Sequence, residues 1–576
     1  MAVEKLIVDH IDTWTTAQQT RSTAGRGSSG KIDLYGIKKL RELILELAVR
    51  GKLVPQDPND EPASELLKRI AAEKAELVKL GKIKKQKPLP EISEEEKPFE
   101  LPEGWEWVRL GTLFNSIQSG GTPSKINPAF WGGDIPWASV KDLGSSQYIS
   151  KTQDYITEAG LLSGSKLADS GDVLICTRMG LGKIAIASCP IAFNQDLKSV
   201  KLTSSIIPDF FFNTYSTVKI KGTGTTVEGI KQEQLVNYIT GFPPFNEQNK
   251  IVVKVKELMS LCDQLEQGSL TSLDAHQQLV ETLLTTLTNS QNADELAENW
   301  ARISEHFDTL FTTEASIDTL KQTILQLAVM GKLVPQDPND EPASELLKRI
   351  AQEKAQLVKD GKIKRQKPLP PISDEEKPFE LPEGWEWAQL QDICHKITDG
   401  EHSTPQRSTS GHYLLSARNV TNNGIMLDDV DFVPTSVFNK IRERCDPNIG
   451  DILISCSGSI GRVALVDRDD EYSMVRSAAM IRPNKNLYIH FIENVLKSPL
   501  LQYQMVNRSK KSAQANLFLG SISALTIPIP PYSEQVKICE IISELFSYSV
   551  QLRTKISISQ QTQLHLADAL TDAAIN

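Results

Sequence analysis

The chain has no apolar run close to the ~20 residues that span a bilayer, so a membrane helix is not expected. Its opening residues, Met-Ala-Val-Glu-Lys, are followed by Asp9 and Asp12 and hold no signal-peptide core, so nothing argues for export. Cysteine is sparse. Cys176, Cys189, Cys262, Cys394, Cys445, Cys456 and Cys539 are odd in number, scattered, and never in a C-x-x-C pair. That argues against a disulfide framework and a zinc site, and suits a reducing cytoplasm. A basic excess is missing as well, for the net charge is −10. Taken alone, this speaks against nucleic acid, because phosphate contacts need Lys and Arg. What the chain does have is length and ordinary globular composition. Its 576 residues, 40% hydrophobic and 24% charged, argue against wholesale disorder. They exceed the ~250–300 residues at which one core stops growing, so several domains are expected.

The strongest positive signal is an internal repeat. Gly51 to Ala71 reads GKLVPQDPNDEPASELLKRIA, and Gly331 to Ala351 reads the same. The similarity extends from Ile37/Ile317 to Leu110/Leu390 and includes KPFELPEGWEW at Lys97–Trp107 and Lys377–Trp387. Beyond the tryptophans the copies diverge. Gly171-Asp172-Val173-Leu174-Ile175 still echoes Gly450-Asp451-Ile452-Leu453-Ile454, and Gly182-Lys183-Ile184 echoes Gly461-Arg462-Val463. Pro243-Pro244-Phe245-Asn246-Glu247-Gln248 then echoes Pro530-Pro531-Tyr532-Ser533-Glu534-Gln535. Each half therefore runs helix, linker, variable domain, long helix. Near-identical connectors around dissimilar globules imply two different binding surfaces presented through one architecture.

Local patterning fills in this outline. Apolar residues at 37, 40, 44, 45, 47 and 48 predict an amphipathic helix over Ile37–Val49, stopped by Gly51. A more charged helix is expected over Glu61–Lys79, and an extended linker rich in Lys, Glu and Pro over Lys82–Pro102. Short β-like runs at Val173–Cys176, Ile184–Ala187 and Ser199–Leu202 give a mixed α/β domain. After Glu247 the apolar positions Ile251, Val255, Leu258, Cys262 and Leu265 alternate four and three apart, matched by Ile538, Ile542, Leu545, Ser549 and Leu552. That heptad-like spacing predicts coiled-coil packing. With a phase shift near Gly268 the stripe is expected to continue through Leu273, Leu279, Leu283 and Leu287. At ~1.5 Å per residue, Ile251 to Thr288 would span roughly 57 Å.

The expected order is a flexible N-terminal segment over 1–30 and a conserved repeat with helices and linker over 31–102. A first head follows at 103–245, then a long helix at 246–290, and a central linker with the second repeat at 291–382. A second head at 383–531 and a C-terminal helix at 532–576 complete it. Charge follows this division. Leu101 to Phe245 is net 0 and Leu381 to Pro531 is net −1, so −9 belongs to scaffold and linkers, where protein partners would dock. Local basic clusters remain on the heads, at Lys219/Lys221 and Arg508/Lys510/Lys511.

The layout resembles the specificity subunits of type I restriction–modification systems, the class with long repeated conserved regions. The resemblance covers almost the whole chain. It rests on LAVRGKLVPQDPNDEPASELL at Leu47–Leu67, LAVMGKLVPQDPNDEPASELL at Leu327–Leu347, LPEGWEW in both copies, GGTPSK at Gly120–Lys125, WGGDIPW at Trp131–Trp137, and the PP-x-x-EQ helix starts. It implies an α+β fold with two mixed α/β target-recognition domains, separated by long antiparallel coiled-coil helices in a pseudo-twofold internal repeat. Each domain would read one half of a split double-stranded DNA site. The implied partners are two modification (methyltransferase) subunits and restriction (translocase/endonuclease) subunits, with no membrane. S-adenosylmethionine, ATP and Mg2+ would sit in those partners, with no cofactor or metal in this chain. Two other readings compete: a scaffold binding only proteins through its coiled coils, and an enzyme with its own DNA adenine methyltransferase activity.

Sharper motifs support the non-catalytic reading. Asn127-Pro128-Ala129-Phe130 approximates the Asn-Pro-Pro-aromatic motif of adenine methyltransferases, which bonds a flipped base. Its third residue is Ala, the second half has no counterpart, and no glycine-rich cofactor loop follows a strand. A recognition-domain loop is the better reading. Gly180-Leu181-Gly182-Lys183 lacks the upstream Gly and following Ser or Thr of a P-loop, and Ser459-Ile460-Gly461-Arg462 stands in the second copy. A turn between strands fits both. Cys394, His395, His402 and His412 do not have zinc-site spacing.

DNA contact is expected from residues beside Gly-rich or polar turns. In the first head these are Ser119, Gly121, Thr122, Ser124, Lys125, Lys141, Arg178 and Lys183. In the second they are His402, Ser403, Thr404, Arg407, Arg418, Asn419, Ser457, Arg462 and Arg476. Arg and Asn are the bidentate readers of G and A edges, whereas Lys and Ser more often hold phosphate.

Overall fold

The computed structural model describes residues 3–21, 31–144, 146–222, 229–509 and 515–575. Lys510 and Lys511 of the second basic cluster, and most of 20–30, lie outside these residues. The chain divides into two units. One comprises Met1–Gln19, Ile32–Leu270 and Gln560–Asn576, and the other Thr20–Lys31 and Thr271–Ser559. Each long helix contributes a part to both units.

In the first unit the repeat helix Tyr35–Val49 buries Ile37, Leu40, Leu43, Ile44 and Leu47. Gly51, at φ +66°, turns the chain left-handed, and the Lys52 amide donates to the Leu47 carbonyl. A Cβ on Gly51 would lie 2.4 Å from the Pro102 ring, so glycine is required by both conformation and space. The second unit repeats this at Gly331, with φ +67° and Pro382 at 2.4 Å. The second repeat helices, Ala63–Lys79 and Ala343–Lys359, each begin after a proline. The linker is extended except for one 3-10 turn at Glu94–Glu96.

Of the segment over 1–30 expected to be flexible, residues 3–9 and 11–16 are instead helical, while 22–30 lie outside the described residues. Helices Val3–Asp9 and Ile11–Thr16 bury Val3, Leu6, Ile7 and Trp14, and the Trp14 carbonyl approaches where a Cβ on Gly36 would stand. Two short helices with one tryptophan suffice to order residues 3–16.

The long helices are Phe245–Asn289 and Tyr532–Ile575. Ile251, Val255, Leu258 and Cys262 are buried as their spacing predicts, as are Ile538, Ile542 and Ser549. Past Gly268 the seam differs from expectation. Leu279 is 50% exposed and Leu283 half-buried, with Val280 and Leu284 buried in their place, while Leu287 is buried as expected. From Leu273 a step of seven residues returns to the same helix face, whereas a step of six lands well off it.

The two heads have dissimilar sequences and one sheet order. In the first, a five-stranded sheet runs Phe114–Ser119, Leu197–Leu202, Val173–Cys176, Ile184–Ala187, Tyr148–Ile149. A second sheet runs Asp154–Ile156, Trp131–Ala138, Ile191–Phe193, Lys166–Ala168. The second head repeats the order as Cys394–Asp399, Ala478–Pro483, Ile452–Ser455, Val463–Leu465, and as Asp431–Val433, His412–Leu415, Tyr472–Met474. Its central strands are buried at every position except Arg482, a pattern closer to a continuous buried run than to an alternation. In each head a two-stranded ribbon joins the first strand to the last: Glu106–Arg109 with Ile239–Phe242, and Glu386–Gln389 with Thr526–Ile529.

Candidate nucleic-acid interface

Each head is held at its base by a cluster of buried polar groups. Glu247 is 1% exposed at the start of the long helix, and its carboxylate accepts from Trp105 Nε1 at 2.9 Å and Gln56 Nε2 at 3.1 Å. Glu534, 2% exposed, accepts from Trp385 Nε1 at 3.0 Å and Gln336 Nε2 at 3.2 Å. Burial pushes both carboxyls up from their ordinary value. The neighbouring glutamines address the head's backbone. Gln248 Oε1 accepts from the Ile207 amide at 3.0 Å, and Gln535 Oε1 from the Tyr488 amide at 2.9 Å. The repeat helices add Glu73 with Asn115 and Ser204, and Glu353 with Asn484 and Asn486. Lys74 donates to the Gly111 carbonyl at 3.0 Å, and burial pushes its ammonium down to about 8. The EQ dipeptide and the Trp of PEGW are thus the two ends of one joint. Sequence reasoning noted both motifs and did not pair them; their joint recurrence in both copies was the available signal.

With its base fixed, the first head gathers the expected residues at one end of its larger sheet. Ser119 pairs with Lys198, Leu197 with Cys176, and Ile175 with Ile184, so the strand end at Ser119 and the turn 177–183 share an edge. Gly121 joins them through its amide, which donates to the Phe193 carbonyl at 2.9 Å. A Cβ on Gly121 would lie 1.8 Å from the Gly164 carbonyl oxygen, so this residue serves close packing. Thr122 donates to the Gln195 carboxamide, and the Ser124 carbonyl accepts from Trp131 Nε1. Lys141 follows the strand Trp131–Ala138, whose last carbonyl accepts from Asn194. Lys183 Nζ donates to the Val140 carbonyl at 3.2 Å and ties the two loops together. Arg178 lies 3.9 Å from Asp196, at the outer limit of an ion pair. Lys125 and Lys141 are exposed and make no side-chain ion pair or hydrogen bond among the described residues.

The second head does the same with different residues. Asp399 pairs with Ala479 and Ser455 with Ala478, which brings the loop after Asp399 beside the turn 456–462. The Arg476 amide donates to Glu401, and the Ala417 amide to Ser477 Oγ. His402 Nε2 stands 2.9 Å from Asp399 Oδ2, and Arg444 donates to the other oxygen, Asp399 Oδ1. Ser403 is turned onto Glu401 Oε1, and Thr404 is exposed. Arg407 and Arg418 share Asp431 Oδ2 at 3.3 and 3.0 Å. Ser457 donates to Asn516 Oδ1. Arg462 and Arg476 are exposed with no side-chain partner among the described residues. Asn419 stands apart. It is 2% exposed, its Oδ1 accepts from Ser416, and its Nδ2 donates to the Met426 and Asp429 carbonyls. Its amide closes a loop.

The arrangement offers hydrogen-bond donors and positive charge on a stiff frame, which suits phosphate and base-edge contact. Lys198, beside Ser119 on this end, and Arg444, beside His402, belong to it and were not picked out by sequence; Lys198 lies within the strand Leu197–Leu202, and Arg444 in the turn that follows the helix Thr435–Arg442. Arg508 is instead drawn to Glu376, at 2.8 Å. Asn127 Oδ1 accepts from the Ala129 amide and caps a short turn. Gly180–Lys183 forms the turn between strands Val173–Cys176 and Ile184–Ala187, with Gly182 at φ +87°. Cys394 is fully buried, with its thiol pushed up to about 12, and His412 stacks on Phe438 at 3.9 Å between ring centroids. No helix among the described residues is long and apolar enough to cross a membrane.

Known proteins match this chain along its length. The family model for the type I restriction modification DNA specificity domain matches residues 102–275 and 382–559. The chain is 50% identical to the EcoAI specificity subunit of Escherichia coli and 48% identical to the EcoEI specificity subunit, covering 100% of this chain and of each relative. Compared with the HsdS subunit from Thermoanaerobacter tengcongensis, the match covers 83% of this chain and 98% of that one, at 17% identity and a TM-score of 0.37. Two matched segments, one per head, and full-length identity to specificity subunits place the chain in the type I restriction–modification DNA specificity family.

Proposed function

We propose that this chain is the sequence reader of a type I restriction–modification complex, each head reading one half of a bipartite double-stranded DNA site. The observation that carries this reading is the pairing of one sheet order with two different sets of loop residues, each set at the corresponding sheet end. Same frame and different donors is what two readers of different sequences require. The chain itself performs no bond chemistry. Adenine methylation with S-adenosylmethionine belongs to two modification subunits, and ATP- and Mg2+-dependent work to restriction subunits. The scaffold's share of the negative charge, −9 against near neutrality on the heads, supports protein docking there and leaves the loops to DNA. The setting is the cytoplasm.

The long helices form an antiparallel coiled coil that relates the heads by a pseudo-twofold axis. Two within-unit observations support this. Lys52 Nζ donates to the Ile575 carbonyl at 2.6 Å, and its repeat equivalent Lys332 donates to the Thr288 carbonyl at 2.7 Å. Each repeat thus holds the end of the other half's helix. In the second unit, Val280, Leu284 and Leu287 belong to the same core as Ile538, Cys539 and Ile542, late residues of one helix and early residues of the other. The half-sites then lie on the order of one DNA turn apart on one face of the duplex.

Exchanging residues 103–245 for the head of another family member, with methylated adenines mapped in cells that also make the modification subunit, tests the reading. One half of the recognised sequence changes and the other stays. A change in both halves together overturns it.

A further inference from the structure

Among the described residues only two non-glycine positions have positive φ, Met179 at +60° and Asp470 at +54°. Asp470 is accounted for. Its carboxylate takes Arg442 at 2.6 Å, its amide donates to Asn448, and aspartate tolerates this conformation. Met179 has no such account. A methionine in the left-handed region is strained, and burial does not offset the strain, for the residue is 66% exposed. The same turn in the second head solves the problem without strain. Counting from the echo of Gly182 with Gly461, the residue equivalent to Met179 is Gly458, at φ +75°. The turn needs a left-handed residue there, and the first head fills the position with an exposed apolar side chain.

The turn is stiff. The Cys176 amide donates to the Lys183 carbonyl, the Lys183 amide to Gly180, and Cys176 Sγ to the Arg178 carbonyl at 2.9 Å. Thr177 is bonded to the Asp196 carbonyl on one side and accepts from Ile230 on the other. A Cβ on Gly180 would lie 2.6 Å from Val140 Cγ1, so the turn is also packed from below. Met179 is therefore presented on a fixed loop between Arg178 and Lys183, at the sheet end that carries Ser119, Lys125 and Lys141. Ile126, on the loop beside Lys125, is 94% exposed.

We propose that Met179 is a specificity-determining residue of the first head, its thioether end packing on the C5-methyl of a thymine in the major groove. This rests on the reading that the cationic sheet end faces DNA. The surrounding charges favour DNA over a protein partner for this exposed methionine. An apolar side chain cannot read donors and acceptors, but it does distinguish thymine by its methyl. Methionine suits the role because it is apolar, polarisable and adaptable in shape. Gly458 gives the second head no equivalent contact, so the two heads differ here in what they read.

The test uses the complex with its modification subunits and a duplex carrying the mapped site. Each thymine of the first half-site is replaced in turn by deoxyuridine, which deletes only the methyl. For the wild type, one replacement weakens binding about four-fold, the worth of one buried methyl(ene) group. Met179→Gly relieves the strained position, so it folds, and it is indifferent to that replacement while binding the natural site about four-fold more weakly. Met179→Asn keeps a residue that tolerates the conformation and gives the same result. Wild-type binding insensitive to every replacement, or variants that keep the same sensitivity, overturns the proposal. So does a variant that loses only assembly with the modification subunits, which would assign Met179 to a protein contact. Lys125→Ala and Lys141→Ala separate this from the underlying reading. If they weaken binding and flatten its salt dependence while deoxyuridine is neutral, only the role of Met179 fails. If they change nothing, the face itself is misassigned.

Discussion

The joint between Trp105 and Glu247 can be sized from its geometry. Both carboxylate oxygens of Glu247 accept a donor, at 2.9 Å from Trp105 and 3.1 Å from Gln56, in a place closed to water. Hydrogen bonds to a charged group contribute about 1.5–3 kcal/mol, and stranding the acceptor costs a similar amount. Trp105→Phe removes the indole N–H and part of the ring volume; Glu247→Ala removes the acceptor. A double-mutant cycle cancels the volume loss common to both backgrounds and leaves the pair. We expect a coupling of about 2 kcal/mol, equivalent to roughly thirty-fold in local opening. The chain has two units and is not expected to unfold in one step, so global denaturation is the wrong readout. Native-state hydrogen exchange at the ribbon amides of Ile239–Phe242 reads the joint directly. The equivalent cycle on Trp385 and Glu534 should give the same coupling at Thr526–Ile529, and the crossed pair Trp105 with Glu534 should give none. A Trp105–Glu247 coupling under about 0.5 kcal/mol would show that the hydrogen bond is incidental to packing and refute the reasoning.

Two further outcomes follow from the scaffold. Burial raises the Glu247 and Glu534 pKa above 4.5, so their contribution to stability is full below pH 4.5 and is lost as pH rises through the raised values. Stability of a Glu247→Gln/Glu534→Gln variant, measured against wild type by native-state hydrogen exchange at the ribbon amides of both heads, should therefore improve from pH 4.5 towards neutrality; a difference independent of pH would exclude the buried carboxylates as its source. Matched seven-residue insertions after Leu265 and Leu552 should lengthen the spacer between half-sites by roughly three base pairs, since a heptad adds ~10 Å of helix against 3.4 Å per base pair. Methylation mapping in which an active complex keeps its original spacer would show that the helices do not set the distance.

Much of the scaffold was legible because its signals are local. Gly51 and Gly331 stop their helices through a left-handed conformation, and strands Val173–Cys176 and Ile184–Ala187 lie where their apolar runs predicted. The N-terminal helices were missed because two short elements carry too few turns to show a period, and only packing around Trp14 reveals them. The Leu279 assignment failed because the phase shift left two registers open, and leucine was the more obvious apolar residue than Val280. Within the candidate site, turn chemistry picked residues that gather at one end of a sheet in each head. It did not distinguish residues that face outward from those that close loops. Asn419 has the composition of a base reader, and only its three internal partners reveal its structural role. Met179 carries no sequence signal of its own, and becomes visible when Gly458 is aligned with it.

The joints also bear on how a duplicated connector can hold two unlike heads. Most of its bonds go to backbone atoms of the head. Lys74 reaches the Gly111 carbonyl, and Lys354 the carbonyls of Gln391 and Asp392. Gln248 and Gln535 each take a backbone amide and give to backbone carbonyls. Backbone groups are present whatever the side chains, provided the strands run in the same order, so such a socket is indifferent to the head's sequence. Where side chains are addressed, one carboxylate accepts from whichever short polar donors stand there: Asn115 and Ser204 at Glu73, Asn484 and Asn486 at Glu353. A socket that recognises topology permits the loops at the far end of the sheet to vary freely. That is the physical condition for changing what a head reads without changing how it is carried.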